Sequence, residues 1–169
     1  MRSRYHQAIA RLSAAVTGEK NKPLCDNIDK NYKNDGSSIR EVIARWMDPA
    51  TRQSVVDEYG DIGDWNTSQV TDMEGLFYNC VDFDEDISRW DTKRVTTMES
   101  MFEEASSFNQ PVGAWDVSNV KNMISMFENA SSFNKSVEDW KIERVEYMDK
   151  MFDGATSLSA SQRPTWLRE

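Results

Sequence analysis

The chain has 169 residues, a length that favours a single domain, and it carries 20 Lys and Arg against 29 Asp and Glu, a net charge of −9. The acidic excess lies in residues 37–169, with 25 acidic against 13 basic residues, so phosphate backbones are repelled and no nucleic acid is expected as a partner. No apolar run approaches the ~20 residues of a membrane span, and no apolar signal-peptide core follows the first charges, so we expect a soluble chain without direct membrane insertion.

Residues 1–36 are basic, with seven Lys and Arg against four Asp and Glu. Apolar side chains recur there at helical spacing, at Tyr5, Ile9, Leu12 and Val16. We predict an amphipathic basic helix followed by a polar linker, with Arg4 and Arg11 as candidate protein-binding residues. Such a helix either packs on the rest of the chain or frays, or it is a transit peptide or a docking helix for a partner.

Two short helices are predicted in residues 37–61. Ser38 and Glu41 have the spacing of a capping box at the start of the first helix. Asp48 and Pro49 have the residue types of an N-cap and first turn for the second, which Gly60 ends. We expect this pair to form an N-terminal cap, because a stack of repeats needs an element that covers its apolar end.

A 25-residue repeat follows, over residues 62–158. Four residue types recur in phase: Trp65, Trp90, Trp115 and Trp140; Val70, Val95, Val120 and Val145; Met73, Met98, Met123 and Met148; Phe77, Phe102, Phe127 and Phe152. A fixed period of this length is typical of a chain that stacks copies of one supersecondary unit, each burying a face it could not bury alone. Residues 159–169 are then a C-terminal tail.

Each repeat contains two apolar patterns. Ile62, Trp65 and Thr67 have the spacing of a short strand whose last two positions point inward. The residues that follow have the spacing of one face of a three-turn helix: Val70, Met73, Leu76, Phe77 and Cys80. The sequence therefore predicts an α/β fold, a right-handed leucine-rich-repeat-like solenoid with one short parallel strand and one helix per repeat.

The turn that closes each repeat is also phased. Asn79, Asn129 and Gly154 tolerate a left-handed C-cap, and Glu104 is the expected exception. Polar side chains follow at Asp84, Asn109 and Asn134, where stacking would let them bond backbone groups of the adjacent repeat.

Nothing in the sequence predicts catalysis. His6 is the only histidine and lies outside the repeats, so no repeat-borne nucleophile has an imidazole base near it in sequence. Asp82, Asp84 and Asp86 begin like a calcium loop, but Ile87 and Lys93 stand where that loop requires Gly and Glu. We expect no enzyme, no catalytic residues, no metal site and no cofactor, and no small-molecule ligand.

The tryptophans allow two interpretations. Aromatic side chains at a structural period usually form core, and the methionines on the same apolar pattern are expected to fill gaps beside them. Aligned indoles can instead form a platform on which sugars stack. Burial of the indoles would favour the core.

The most variable residues across the repeats lie on the face expected to point away from the core. The candidate protein-binding residues there are Asp64, Asn66, Arg89, Asp91, Lys93, Asp116, Asp139 and Lys141. Variable polar residues on a rigid repeated frame suit protein recognition, although a charged face is often only solvated surface.

The run Trp115-Asp116-Val117-Ser118-Asn119-Val120, followed by Met126-Phe127 and Phe133-Asn134, resembles the BspA-like leucine-rich-repeat surface proteins with 25-residue repeats, known from bacterial lipoproteins, protists and algae. The resemblance covers residues 39–158 and departs from the pattern at Lys93-Arg94, Glu143-Arg144 and Leu158. It implies adhesion or protein binding, and it makes a cell-surface location possible.

Two functional hypotheses follow. The first is a non-catalytic module that binds another protein, or an accessory structural subunit of a large assembly, inside a cell or organelle. The alternative is a carbohydrate-binding or adhesive cell-surface protein.

Overall fold

The structure, a computed structural model, describes residues 39–167. It contains two α-helices, α1 at Ile39–Met47 and α2 at Arg52–Tyr59, and 3₁₀ helices at Ile62–Asp64 and Thr165–Leu167. The predicted basic helix and linker, with Arg4 and Arg11, lie outside these residues. In the described segment no helix is long and apolar enough to cross a membrane.

The predicted helix of each repeat is wrong. In an α-helix every N–H bonds the carbonyl four residues earlier. Here the N–H of Gly75 donates to the carbonyl of Glu99, in the next repeat, at 2.8 Å. The N–H of Leu76 donates to the carbonyl of Met73, in its own repeat, at 3.4 Å. Alternate N–H groups thus bond the next repeat, and those between them close four-residue turns within the repeat.

The predicted strand is wrong as well, and with it the α/β solenoid. The N–H of Trp90 bonds the carbonyl of Ile87 at 3.1 Å, which makes this segment a turn. Pairing between repeats is reduced to single parallel bridges, Asp72 with Thr97, Thr97 with Asn122, and Asn122 with Tyr147. The described residues therefore contain no named strand and no sheet, and the variable face is a ridge of turns.

Successive repeats stack through a row of backbone bonds. Four N–H groups of each repeat donate to carbonyls 24 residues later. At the first junction the donors are Met73, Gly75, Phe77 and Asn79, and the acceptors are Thr97, Glu99, Met101 and Glu103, at 2.7–3.0 Å. The same four bonds recur at the next two junctions. This row, which we call the amide row, holds the register of the stack.

The amide row requires left-handed backbone at two positions per repeat. The prediction for the closing turn is confirmed, with φ of 56° at Asn79, 60° at Asn129 and 74° at Gly154, but Glu104 is no exception, at 62°. A second set of residues, not predicted, has φ of 54–59°: Gly75, Ser100, Ser125 and Lys150. A left-handed backbone is unfavourable for residues other than glycine, so the stacking hydrogen bonds must outweigh the local conformational preference.

Aromatic columns form the core. Phe77, Phe102, Phe127 and Phe152 are each buried, and successive rings stack with centroids 5.4–5.6 Å apart. The indole N–H groups of Trp90, Trp115 and Trp140 donate to carbonyls of the preceding repeat at 2.8–3.2 Å. The prediction that these tryptophans are core is confirmed.

Helices α1 and α2 cover the first repeat. Trp46 meets the Phe83 ring edge-on at 6.2 Å, and the guanidinium of Arg52 lies 3.7 Å from the centre of the Trp46 ring. Helix α2 begins at Arg52 and not at Asp48, whose carboxylate accepts the N–H of Ala50 at 3.0 Å. Gly60 ends it as predicted, with φ 74°. The predicted capping box begins at Ser38, outside the described residues.

The segment predicted as a tail packs on the last repeat. Trp166 and Leu167 are partly buried against the core, and the N–H of Thr165 donates to the carboxylate of Glu138 at 2.8 Å. Both ends of the apolar core thus have covering segments, one of helices and one of a single 3₁₀ turn.

Candidate protein-binding ridge

The candidate residues of the variable face form an exposed ridge along the repeats. All eight that the structure describes are exposed: Asp64, Asn66, Arg89, Asp91, Lys93, Asp116, Asp139 and Lys141. The repeated Trp, Met and Phe side chains beneath them are mostly buried. The other two candidates, Arg4 and Arg11, lie outside the described residues.

Local hydrogen bonds orient the ridge in three of the four repeats. The side-chain oxygens of Asn66, Asp91 and Asp116 each accept the backbone N–H two residues later, at 3.0–3.1 Å. This is an Asx turn, in which the side chain completes a backbone turn. Hydrogen bonds from Ser118 lower the pKa of Asp116, and the charges of Lys93 and Lys141 act in the same direction. The carboxylate therefore stays ionised well below neutral pH.

Bonds between repeats set the spacing of the ridge. The Thr67 hydroxyl donates to the carbonyl of Asp91 at 3.1 Å, and the Thr92 hydroxyl donates to that of Asp116 at 3.0 Å. On the surface, Arg89 forms an ion pair with Asp64 at 2.6 Å, with both side chains more than half exposed. The buried threonine bonds hold one ridge position in each of three repeats at fixed separation.

The fourth repeat differs. Lys141 stands where the other repeats have Asn66, Asp91 and Asp116, and an ammonium group cannot accept the N–H that closes an Asx turn. Asp139 and Lys141 are exposed residues of the ridge, and Lys141 does not form an Asx turn. The ridge thus changes from acceptor groups to a mixed pair of charges along its length.

A second column beside the ridge was missed by the sequence reasoning. Arg94 donates to the side chain of Gln69 at 2.8 Å, Asn119 to the carbonyl of Lys93 at 2.8 Å, and Arg144 to the side chain of Asn119 at 2.9 Å. In the sequence, Arg94 and Arg144 stood out only as departures from the pattern of the family that the chain resembles. Their signal was the 25-residue spacing from Gln69 and Asn119, which brings polar side chains of adjacent repeats together.

The tryptophans do not offer a platform for sugars. Trp90, Trp115 and Trp140 are 3–4% exposed, so their ring faces are covered by protein. Trp65 is partly buried, and its indole N–H donates to the carbonyl of Gly60 at 3.2 Å. The stacking surface on which the carbohydrate alternative rested is therefore occupied by the core.

Two of the three aspartates that resembled a calcium loop, Asp84 and Asp86, have structural partners. Asp84 accepts the N–H of Asn109 at 2.8 Å, and Asn109 accepts that of Asn134 at 3.0 Å, which confirms the predicted stacked polar side chains. Hydrogen bonds from Ser88 lower the pKa of Asp86. Over residues 39–167, no group of three or more potential ligands is arranged to hold a metal ion.

Comparison with known proteins adds a family. No curated protein and no solved structure matches the chain. A family model described as "Mycoplasma protein of unknown function, DUF285" matches residues 47–166, a range that takes in α2, the four repeats and the first two residues of the C-terminal 3₁₀ turn. Because this match covers well over half of the 169 residues, the chain belongs to the DUF285 family.

Proposed function

We propose that the chain is a non-catalytic module that binds another protein through the ridge, as an interaction partner or as an accessory subunit of an assembly. The observation that supports it is the contrast in exposure between the repeated and the variable residues of each repeat. Residues that repeat faithfully are mostly buried, whereas the ridge residues that vary are exposed on a frame held by backbone bonds. Rigid placement of variable polar groups lowers the entropic cost of recognition.

The partner of such a ridge is polar. Exposed carboxylates at Asp91 and Asp116 flank the ammonium group of Lys93, so the ridge presents both signs of charge at short range. Complementary charge in the partner would fix its register along the repeats and speed association at low salt.

The test removes the basic groups of the ridge without touching its Asx turns. The ridge variant is Arg89→Gln, Lys93→Gln and Lys141→Gln, and the control, with the same change in net charge, is Arg45→Gln, Lys121→Gln and Lys135→Gln. Proteins captured from an extract of the native cells are quantified by mass spectrometry. We expect a partner that wild type and control capture equally and that the ridge variant captures at least about tenfold less, a loss of roughly 1.4 kcal/mol.

A second variant covers the other candidate surface, with Arg4→Gln and Arg11→Gln. If the ridge variant and this variant both retain every protein that the wild type captures, the proposed function is wrong. Loss in the basic-segment variant alone would move the binding site from the ridge to residues 1–36.

A further inference from the structure

Within residues 39–167, the amide row ends in four N–H groups without acceptors. In the third repeat, Met123, Ser125, Phe127 and Asn129 donate to carbonyls of the fourth at 2.7–2.9 Å. The equivalent donors of the fourth repeat are Met148, Lys150, Phe152 and Gly154. No residue between 39 and 167 accepts from them.

At the opposite end of the row, one of the four equivalent carbonyls already has a donor. There the guanidinium of Arg40, on α1, donates to the carbonyl of Glu74 and to the carboxylate of Asp72. Its side chain is 9% exposed. Helix α1 therefore hinders a second copy of the chain from adding its first repeat to the open end.

The open end is accessible and carries partial positive charge. The peptide groups of the row point the same way at every junction, so their dipoles add along the stack as in a helix, with the N–H end at the last repeat. Met123 and Ser125 are buried by the repeat that follows them, whereas Met148 is partly exposed and Lys150 and Gly154 are exposed; of the four donor residues, Phe152 is the buried one, at 2% exposed.

The chemistry of this end selects its ligand. The donors are two residues apart, and the carbonyls between them already accept from the third repeat. An extended backbone presents every second carbonyl on one side, so it can offer acceptors to alternate donors. Exposed carboxylates of Asp149 and Asp153 lie within the row, while Lys150 is paired with Glu128 at 3.3 Å. A cationic segment is therefore favoured, and a free phosphate is disfavoured.

We propose that the open end of the amide row, at Met148, Lys150, Phe152 and Gly154, binds an extended, Lys- or Arg-bearing segment of a partner protein by accepting its backbone as a further stacked layer. Tyr147, 53% exposed beside the row, supplies an aromatic contact for the stems of the basic side chains. This site is separate from the ridge and does not depend on it.

The probe is a short peptide of alternating lysine and valine, acetylated and amidated, added to the full ¹⁵N-labelled chain. In the free chain we expect the amides of Met148, Lys150, Phe152 and Gly154 to exchange at least about tenfold faster than their counterparts in the third repeat, because nothing protects them. Saturating peptide should slow the same four amides by at least about tenfold. Unchanged exchange at these amides on addition of peptide would overturn the proposal.

Matched variants test the role of charge. Asp149→Lys with Asp153→Lys should weaken peptide binding at least about tenfold, while Asp57→Lys with Asp61→Lys, on and just after α2, should leave it unchanged. Equal weakening by both pairs, or the same protection from excess inorganic phosphate, would contradict a site for a basic peptide. The ridge variant should bind the peptide like wild type, so failure of the ridge and failure of this site give different results.

Discussion

Single residues decide how closely the repeats approach. A Cβ on Gly113 would lie 2.5 Å from the carbonyl oxygen of Ser136 in the next repeat, closer than van der Waals contact allows. Gly63 meets the carbonyl of Asp86 in the same way. Because the obstacle is backbone that the stacking holds in place, these glycines are required by a close approach between repeats.

Replacing Gly113 with alanine should therefore destabilise the chain. We expect Gly113→Ala to lower the free energy of unfolding by about 1–3 kcal/mol, the usual cost of forcing extra volume into a packed junction. Urea denaturation followed by circular dichroism measures it. Asp139→Ala, at an exposed position of the same turn region, should cost less than about 0.5 kcal/mol, and equal losses would contradict the steric explanation.

Glu74 should make stability depend on pH. Burial, followed by the charges of Glu99 and Asp72, raises its pKa above the ordinary value of 4.5, against the opposing charge of Arg40. The folded state then holds the proton more tightly than the unfolded state, so this group's contribution to stability falls as pH rises from about the unfolded value. We expect Glu74→Gln to raise the melting temperature at pH 7, and we expect the gain to disappear below pH 4.5. A gain that persists or grows in acid would contradict this assignment.

The structural unit of this fold is the whole repeat, because its turns leave alternate N–H groups whose acceptors lie in the next repeat. Each of the first three repeats donates four N–H groups to the next repeat and accepts the indole N–H of that repeat's tryptophan. The phenylalanine of a repeat stacks on two neighbours when the repeat is interior and on one when it is last. The worth of a given side chain should therefore depend on its place in the stack.

The phenylalanine column tests this dependence. The Phe127 ring stacks on Phe102 and Phe152 at 5.4 Å each, whereas Phe152 has a column neighbour on one side only. Since a stacked aromatic pair is worth about 0.5–1.5 kcal/mol beyond its buried area, Phe127→Leu should cost about 1 kcal/mol more than Phe152→Leu. Equal losses in chemical denaturation would show that stacking contributes nothing beyond burial.

The N-terminal cap offers a second test at this scale. Arg40→Met removes the donor to Glu74 and Asp72 from a nearly buried position, and we expect a loss of about 1.5–3 kcal/mol, typical of hydrogen bonds to charged groups. Arg45→Met removes an exposed pair with Glu58 and should cost less than about 1 kcal/mol. Thermal melts of the two variants in parallel measure the difference, and a smaller loss at Arg40 would contradict its role in the cap.

At the scale of the whole molecule, repulsion between like charges is the main effect that destabilises the folded state. The net charge is −9, and the ion pairs within residues 39–167 are largely between exposed side chains, which contribute little. Screening of like charges should therefore help the folded state more than it weakens those pairs. We expect the melting temperature at pH 7 to rise between low and high sodium chloride. A fall would mean that the ion pairs outweigh the repulsion.

Much of the candidate site could be predicted from residue types and period. The ridge residues that vary in phase are exposed, the repeated Trp, Val, Met and Phe residues are mostly core, and the polar stack at Asp84 and Asn109 has the bonds that were expected. The amide row could not be predicted, because its bonds join backbone groups of different repeats and no residue type marks them. The second polar column was missed, although the spacing of Arg94 from Gln69 and of Arg144 from Asn119 indicates it. The variant with Arg4→Gln and Arg11→Gln tests whether residues 1–36 take part in binding.

The sequence by itself determined the register of this protein: which side chains are repeated, buried and stacked, and where left-handed backbone is tolerated at Asn79 and Gly154. Only the tertiary structure decided the conformation of each repeat. Apolar spacing at i, i+3 and i+7 places side chains on one side of a helix, and equally on one side of a coil of turns. The choice depended on where the N–H groups of Gly75 and Phe77 find acceptors, and those acceptors lie in the next repeat.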